Sequence, residues 1–110
     1  MNWDNYVKIE TFCPRESADK IRLAIGDAGG GILGNYRNCA FLSNGTGYFM
    51  PMDGSKPTIG NNGEIAEVEE TKIEFACEKS KVKAVIAAIK KAHPYEKVWI
   101  GITQLLDFER

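Results

Sequence analysis

The chain has 110 residues, room for one compact domain and not for two. Apolar residues make up 44% and charged residues 26%, an ordinary globular balance that excludes disordered and fibrous classes. With 14 Lys and Arg against 15 Asp and Glu, the formal net charge is −1, which argues against a dedicated nucleic-acid binder.

The first residues, Met1-Asn2-Trp3-Asp4-Asn5, have neither the basic start nor the apolar stretch of a signal peptide. Tyr6 to Cys13 alternates, with Val7, Ile9, Thr11 and Cys13 on one face, which is the period of a strand. Pro14 closes it. A helix is predicted from Arg15 or Ser17 to Ala28, with Ala18, Ile21, Ile25 and Ala28 on one stripe. Gly29, Gly30 and Gly31 end that helix, because glycine tolerates the left-handed turn of a helix stop. These glycines follow a helix C-terminus, whereas phosphate cradles place theirs before a helix N-terminus, so a tight turn is expected there. Asn38 to Ser43 predicts a second strand, Asn44-Gly45 a turn, and Tyr48 to Met50 a short extra strand. Gly54 to Gly63, with Pro57, reads as a loop long enough to suggest function.

The second half repeats the first. Glu67 to Cys77 is a strand with Thr71, Ile73, Phe75 and Cys77 on one face. A helix starts at Ser80 or Lys81 and runs to Ala92 or His93, with Val82, Val85, Ile86, Ile89 and Ala92 as its apolar stripe. Its longest apolar run, Ala84 to Ile89, is far short of the ~20 residues that span a bilayer. Pro94 stops the helix, since the residue before proline is pushed out of helical geometry. Val98 to Leu105 is the last strand. The order β-α-β-β-α-β predicts an α+β, ferredoxin-like two-layer sandwich over residues 1–110, both helices on one face of an antiparallel sheet. A cytoplasmic location is expected, without membrane partner. The three cysteines are expected as reduced thiols, Cys39 and Cys77 at one end of the sheet and Cys13 at the other.

A set of residues spread along the chain is familiar in its order. It comprises Gly34-Asn35-Tyr36, Cys39, Gly45-Thr46-Gly47, Phe49, Pro51, Gly54, Pro57, Ile59, Gly60, Gly63, Glu70, Ile73, Glu74 and His93-Pro94-Tyr95-Glu96. From about Tyr6 to Leu105 the chain resembles the domain inserted in bacterial Nif-three-like proteins of the YqfO type, which is similar in fold to CutA and the nitrogen-regulatory PII proteins. The resemblance implies a stand-alone copy of that domain. The flanking halves, which carry the two-metal site of the long proteins, are expected to be missing, so no metal or cofactor role is expected to carry over to any residue. It also implies self-association, a trimer before a dimer, because CutA and PII proteins are trimers. The chain departs from the family after His93-Pro94-Tyr95-Glu96, with Lys97 and Val98 where a second acid and a proline are common.

Few residues offer chemistry. His93 is the sole histidine; it reads either as an imidazole ending the helix against the core or as a ligand or proton donor acting with Tyr95 and Glu96. The acids from Glu64 to Glu78 and the lysines from Lys79 to Lys97 form two charged stretches, either solvated faces or complementary subunit patches. Tyr6, Phe12, Trp99 and Leu105 fall on the sheet face away from the helices, so another subunit is expected to cover it. Strand directions bring Asn44 to Gly63 and His93 to Glu96 to one end. The expected ligand site is there: His93, Tyr95 and Glu96 facing Gly45, Thr46, Gly47 and Gly60, with no catalytic or metal role assigned. Three functions compete: a non-catalytic binding or regulatory module acting as a homo-oligomer with an unidentified small ligand or protein partner; a CutA-type metal-handling protein with ligands shared between subunits; and a small acid–base enzyme using His93, Tyr95 and Glu96.

Overall fold

The computed structural model describes residues 1–109. Six main elements follow in chain order: β1 (Tyr6–Pro14), α1 (Ala18–Asp27), β2 (Phe41–Phe49), β3 (Ala66–Glu78), α2 (Val82–Ala92) and β4 (Ile100–Gln104). Single 3-10 turns at Arg15–Ser17 and Lys79–Lys81 lead into the two helices. The sheet order is β2-β3-β1-β4, every neighbouring pair antiparallel. This is the ferredoxin-like arrangement that the alternation of strand and helix periods predicts.

Periodicity decides which faces are buried. Val7, Ile9 and Cys13 of β1 and Ile73, Phe75 and Cys77 of β3 point toward the helices, and Ile21, Ile25, Val85 and Ile89 meet them from α1 and α2. Each of the large side chains stabilises the fold by roughly 1.5–3 kcal/mol through removal from water. Cys13 lies opposite Thr71 and Cys77 opposite Val7, at opposite ends of the ladder. The Cys39 amide donates to Gly31 O and the Gly31 amide to Ala76 O, which puts Cys39 at the Cys77 end. All three thiols are free.

The middle of the chain differs from the sequence expectation. Phe41–Phe49 is one strand, not two strands flanking an Asn44-Gly45 turn, and no separate strand forms at Tyr48 to Met50. The reason is non-local. β3 is long enough to offer a partner to every residue of β2, including Thr71 to Asn44 and Glu70 to Gly45. Asn44 Oδ1 accepts the Thr71 hydroxyl at 2.7 Å instead of bonding within a turn. The reversal falls in residues 50–65. β2 pairs with β3 from Ala66 to Glu74, whereas β1 pairs only from Glu70 to Glu78. The first part of β3 therefore leaves the sheet with β2 as a two-stranded arm, and the molecule measures 51 × 24 × 23 Å.

The sheet face away from the helices is also less apolar than expected. Tyr6 is buried beneath Trp3, ring centroids 5.3 Å apart, and Leu105 is half-buried. At its centre Lys8, Glu10, Lys72 and Glu74 form an ion network with contacts of 3.2 to 3.8 Å. Hydrogen bonds to Glu10 and Glu74 hold Lys72 above its ordinary pKa, and Lys8 holds Glu74 below its own. Phe12 and Trp99 remain exposed on this face.

Candidate functional site

α2 ends because Pro94 disfavours helical geometry at the residue before it, and His93 takes an extended conformation with φ −79 and ψ 135. This turn lifts residues 93–99 across the end of β1. The Tyr95 amide donates to His93 Nδ1 at 3.1 Å. An acceptor at Nδ1 leaves the ring proton on Nε2, which donates to the Phe12 carbonyl at 2.7 Å. His93 is 7% exposed and both its nitrogens are engaged with backbone. It is a joint between α2 and β1 and does not line the cavity beyond it.

The Tyr95 ring lies beside the His93 ring, with centroids 4.9 Å apart. It also packs against Phe49 at 5.9 Å, and the Tyr95 hydroxyl donates to Glu70 Oε2 at 2.9 Å. Burial pushes the phenol well above its ordinary pKa, and the hydrogen bond and negative charge of Glu70 push it further. Glu96 Oε2 accepts the Lys56 amide at 2.9 Å, and the Thr58 hydroxyl donates to the Pro94 carbonyl at 2.6 Å. These two exposed bonds bring residues 50–65 over the 93–97 turn, the end to which strand directions assign both segments.

The result is an open cavity of about 620 Å³. Its wall on the β2 side includes Gly45, Thr46 and Gly47, its floor Glu70, Lys72 and Phe12, and its far side Tyr95, Glu96, Lys97 and Trp99. Pro51, Pro57 and Ile59 close it from the loop. Gly47 makes room for the floor, since a Cβ there would overlap Glu70 Oε1. Of the residues expected from sequence, Tyr95, Glu96, Gly45, Thr46 and Gly47 meet in this cavity. His93 and Gly60 do not: Gly60, at φ +93, packs under the loop against Ala66, Pro51 and Phe49.

Phe12, Trp99, Glu70 and Lys72 are lining residues that the sequence reading left outside the site. The signal was present in two separate readings, outward-facing aromatics on one hand and Glu70 in the familiar set on the other. Only the register of β1 on β3, Phe12 opposite Lys72, joins them. Nearby Cys13 has its thiol pushed up to about 11, by burial first and then by the charges of Glu70 and Glu16. Among the described residues no three His, Cys, Asp or Glu side chains gather as a metal-holding group, and no helix is long and apolar enough to cross a membrane.

The chain and its fold have counterparts among known proteins. The chain is 46% identical over 95 residues to the GTP cyclohydrolase 1 type 2 homolog of Bacillus subtilis, covering 86% of the chain and 26% of that protein. The homolog from Mycobacterium tuberculosis is 37% identical over 95 residues, covering 86% and 25%. The chain thus spans about a quarter of the length of the curated relatives it matches. Among solved structures, a Bacillus cereus protein related to NIF3 superposes with a TM-score of 0.82 at 38% identity, over 94% of this chain and 26% of that one. CutA1 from Shewanella sp. SIB1 superposes with a TM-score of 0.69 at 17% identity, over 94% and 83%, which shows a shared fold. No family model matches the sequence.

Proposed function

We propose, from the premise that this chain is a homologue of the CutA-like domain of the NIF3-related proteins, that it is a non-catalytic binding module acting as a homo-oligomer, with the cavity at Tyr95 as its ligand site. The observation that carries the reading is the state of His93. The one imidazole of the chain has both nitrogens committed to backbone groups, and the adjoining phenol is tied to Glu70 and held protonated. The cavity offers shape, aromatic faces and hydrogen-bonding groups, and among the described residues none of its Ser or Thr hydroxyls is hydrogen-bonded to a carboxylate or imidazole. Acid–base catalysis by His93, Tyr95 and Glu96 would need His93 released from the end of α2. Metal handling of the CutA kind would need ligands from a second copy, since the described residues of one chain gather no group of three.

Oligomerisation draws support from the uncovered residues of the outer sheet face, Trp99 at 56% exposure and Phe41 at 66%. Three chains are expected before two. Light scattering at micromolar concentration tests the assembly: the mass of one chain would overturn it. For the site, His93→Ala is expected to lower stability. Tyr95→Ala is expected to leave the core folded and to abolish the thermal shift given by ligands selected from a small-molecule panel. Equal ligand shifts in wild type and Tyr95→Ala would remove the cavity from the proposal.

A further inference from the structure

The charges around the cavity are unequal once their existing partners are counted. Lys72 is held at 3.2 Å by Glu10 and at 3.4 Å by Glu74, and with Lys8 these groups form a network of two positive and two negative charges. It has no charge left to offer. Glu70 is different: Tyr95 satisfies Oε2, and Oε1 has no hydrogen-bond partner among the described residues. Oε1 rests over Gly47, where a Cβ would displace it, and the space above Gly45, the residue opposite Glu70, is empty. Glu96 adds a second carboxylate, and among the described residues Lys97, exposed at the rim, is the one cation there without a partner.

The walls around Glu70 are aromatic. Tyr95 and Phe49 form one ring pair at 5.9 Å, and Phe12 and Trp99 another at 5.1 Å, all four lining the same cavity. Ring faces are the negative part of the aromatic quadrupole and attract cations, most strongly away from water. An anion would meet both these faces and Glu70. A purely apolar guest would strip water from Glu70 Oε1 without replacing its hydrogen bonds. A cation with an apolar or planar body satisfies the carboxylate and the rings together.

We infer that the cavity takes a small organic cation, an alkylated ammonium or a guanidinium, with its charge at Glu70 Oε1 and its body against Tyr95, Phe49, Phe12 and Trp99. The inference rests on the cavity being a ligand site, and its test separates the two claims. Choline, methylguanidine, 3,3-dimethylbutan-1-ol (the neutral isostere of choline) and benzoate are titrated into 15N-labelled protein. The indole signal of Trp99 and the amides of Gly45 and Gly47 are followed. Saturable shifts with choline or methylguanidine are expected, with binding of the neutral isostere weaker by about tenfold or more. Which of the two cations binds identifies the headgroup. Glu70→Gln, which keeps an acceptor for the Tyr95 hydroxyl, is expected to lose a similar factor. Trp99→Leu, on the exposed face, is expected to weaken binding as well, and Lys97→Ala is expected to preserve or strengthen it. Equal binding of choline and its isostere, or unchanged binding by Glu70→Gln, would overturn the cation assignment. Shifts with benzoate alone would overturn it too while leaving the cavity a ligand site. If none of the four probes moves the cavity signals at millimolar concentration, the cation assignment is overturned, and the ligand-site reading stands or falls on the Tyr95→Ala comparison.

Discussion

The two helices leave the sheet by the same topological step, and their exits end in opposite ways. α1 runs into Gly29, Gly30 and Gly31, and its turn is sealed by backbone: Gly31, at φ +74, donates to Ala76 O and accepts from Cys39, and a Cβ there would overlap the Cys39 carbonyl. α2 runs into His93, Pro94 and Tyr95, and its turn is held by side chains that a backbone cannot close upon. One exit is filled and the other is propped open over an open cavity of about 620 Å³. In a fold made of two similar halves, the open cavity lies at the exit held by side chains and not at the one sealed by glycine backbone.

That contrast can be broken most sharply at the sealed exit. Gly31→Val places a β-branched residue at positive φ, costing about 1–2 kcal/mol for left-handed backbone and roughly 1–3 kcal/mol more for overlap with Cys39. A fall of that size in urea unfolding, with core packing otherwise unchanged, is the expected result. Next comes the propped exit. His93→Ala removes bonds to Phe12 and Tyr95 and is expected to cost roughly 1–3 kcal/mol. Because Tyr95 loses its anchor, its contact with Phe49 is also expected to loosen, seen as altered ring signals in NMR.

A smaller effect tests the Tyr95–Glu70 bond. The folded protein holds the Tyr95 proton more tightly than the unfolded chain, whose phenol titrates near 10.0. This contribution to stability is fully present below that value and is lost as pH rises through the folded one. Wild-type stability is therefore expected to drop in alkali, and Tyr95→Phe to flatten part of that drop. Tyr6, raised by burial and by Glu78, supplies a further part and stays in place. At neutral pH the same substitution is expected to cost about 1 kcal/mol for one hydrogen bond. The smallest perturbation is chemical labelling. Burial raises the thiols of Cys13 and Cys77 and hides both, whereas Cys39 at the sealed exit is half-buried. A mild thiol reagent on folded protein is expected to modify Cys39 first; prompt reaction at Cys13 would show that the end of β1 opens.

Much of the architecture is local and was readable as such. The alternation of Val7, Ile9 and Cys13 and the stripe of Val85 and Ile89 mark their elements without reference to anything else in the chain, because a strand or a helix buries residues at its own period. Pro94 and the glycines after Asp27 likewise act on neighbouring residues alone. The Asn44-Gly45 pair shows where this fails: a strong local turn preference yielded to a ladder with Thr71 and Glu70, residues far away in sequence. His93 was open to two readings for the same reason, since only the Phe12 carbonyl and the Tyr95 amide decide what its ring does. The sequence by itself determined the order of elements, their buried faces and the end of the molecule that residues 44–63 share with His93 to Glu96. Tertiary structure alone decided that Phe12, Glu70, Tyr95 and Trp99 share one cavity and that His93 and Gly60 stand outside it. Those four come from β1, β3 and the chain between α2 and β4, and their proximity is a matter of strand register, which no periodicity within a single element can encode.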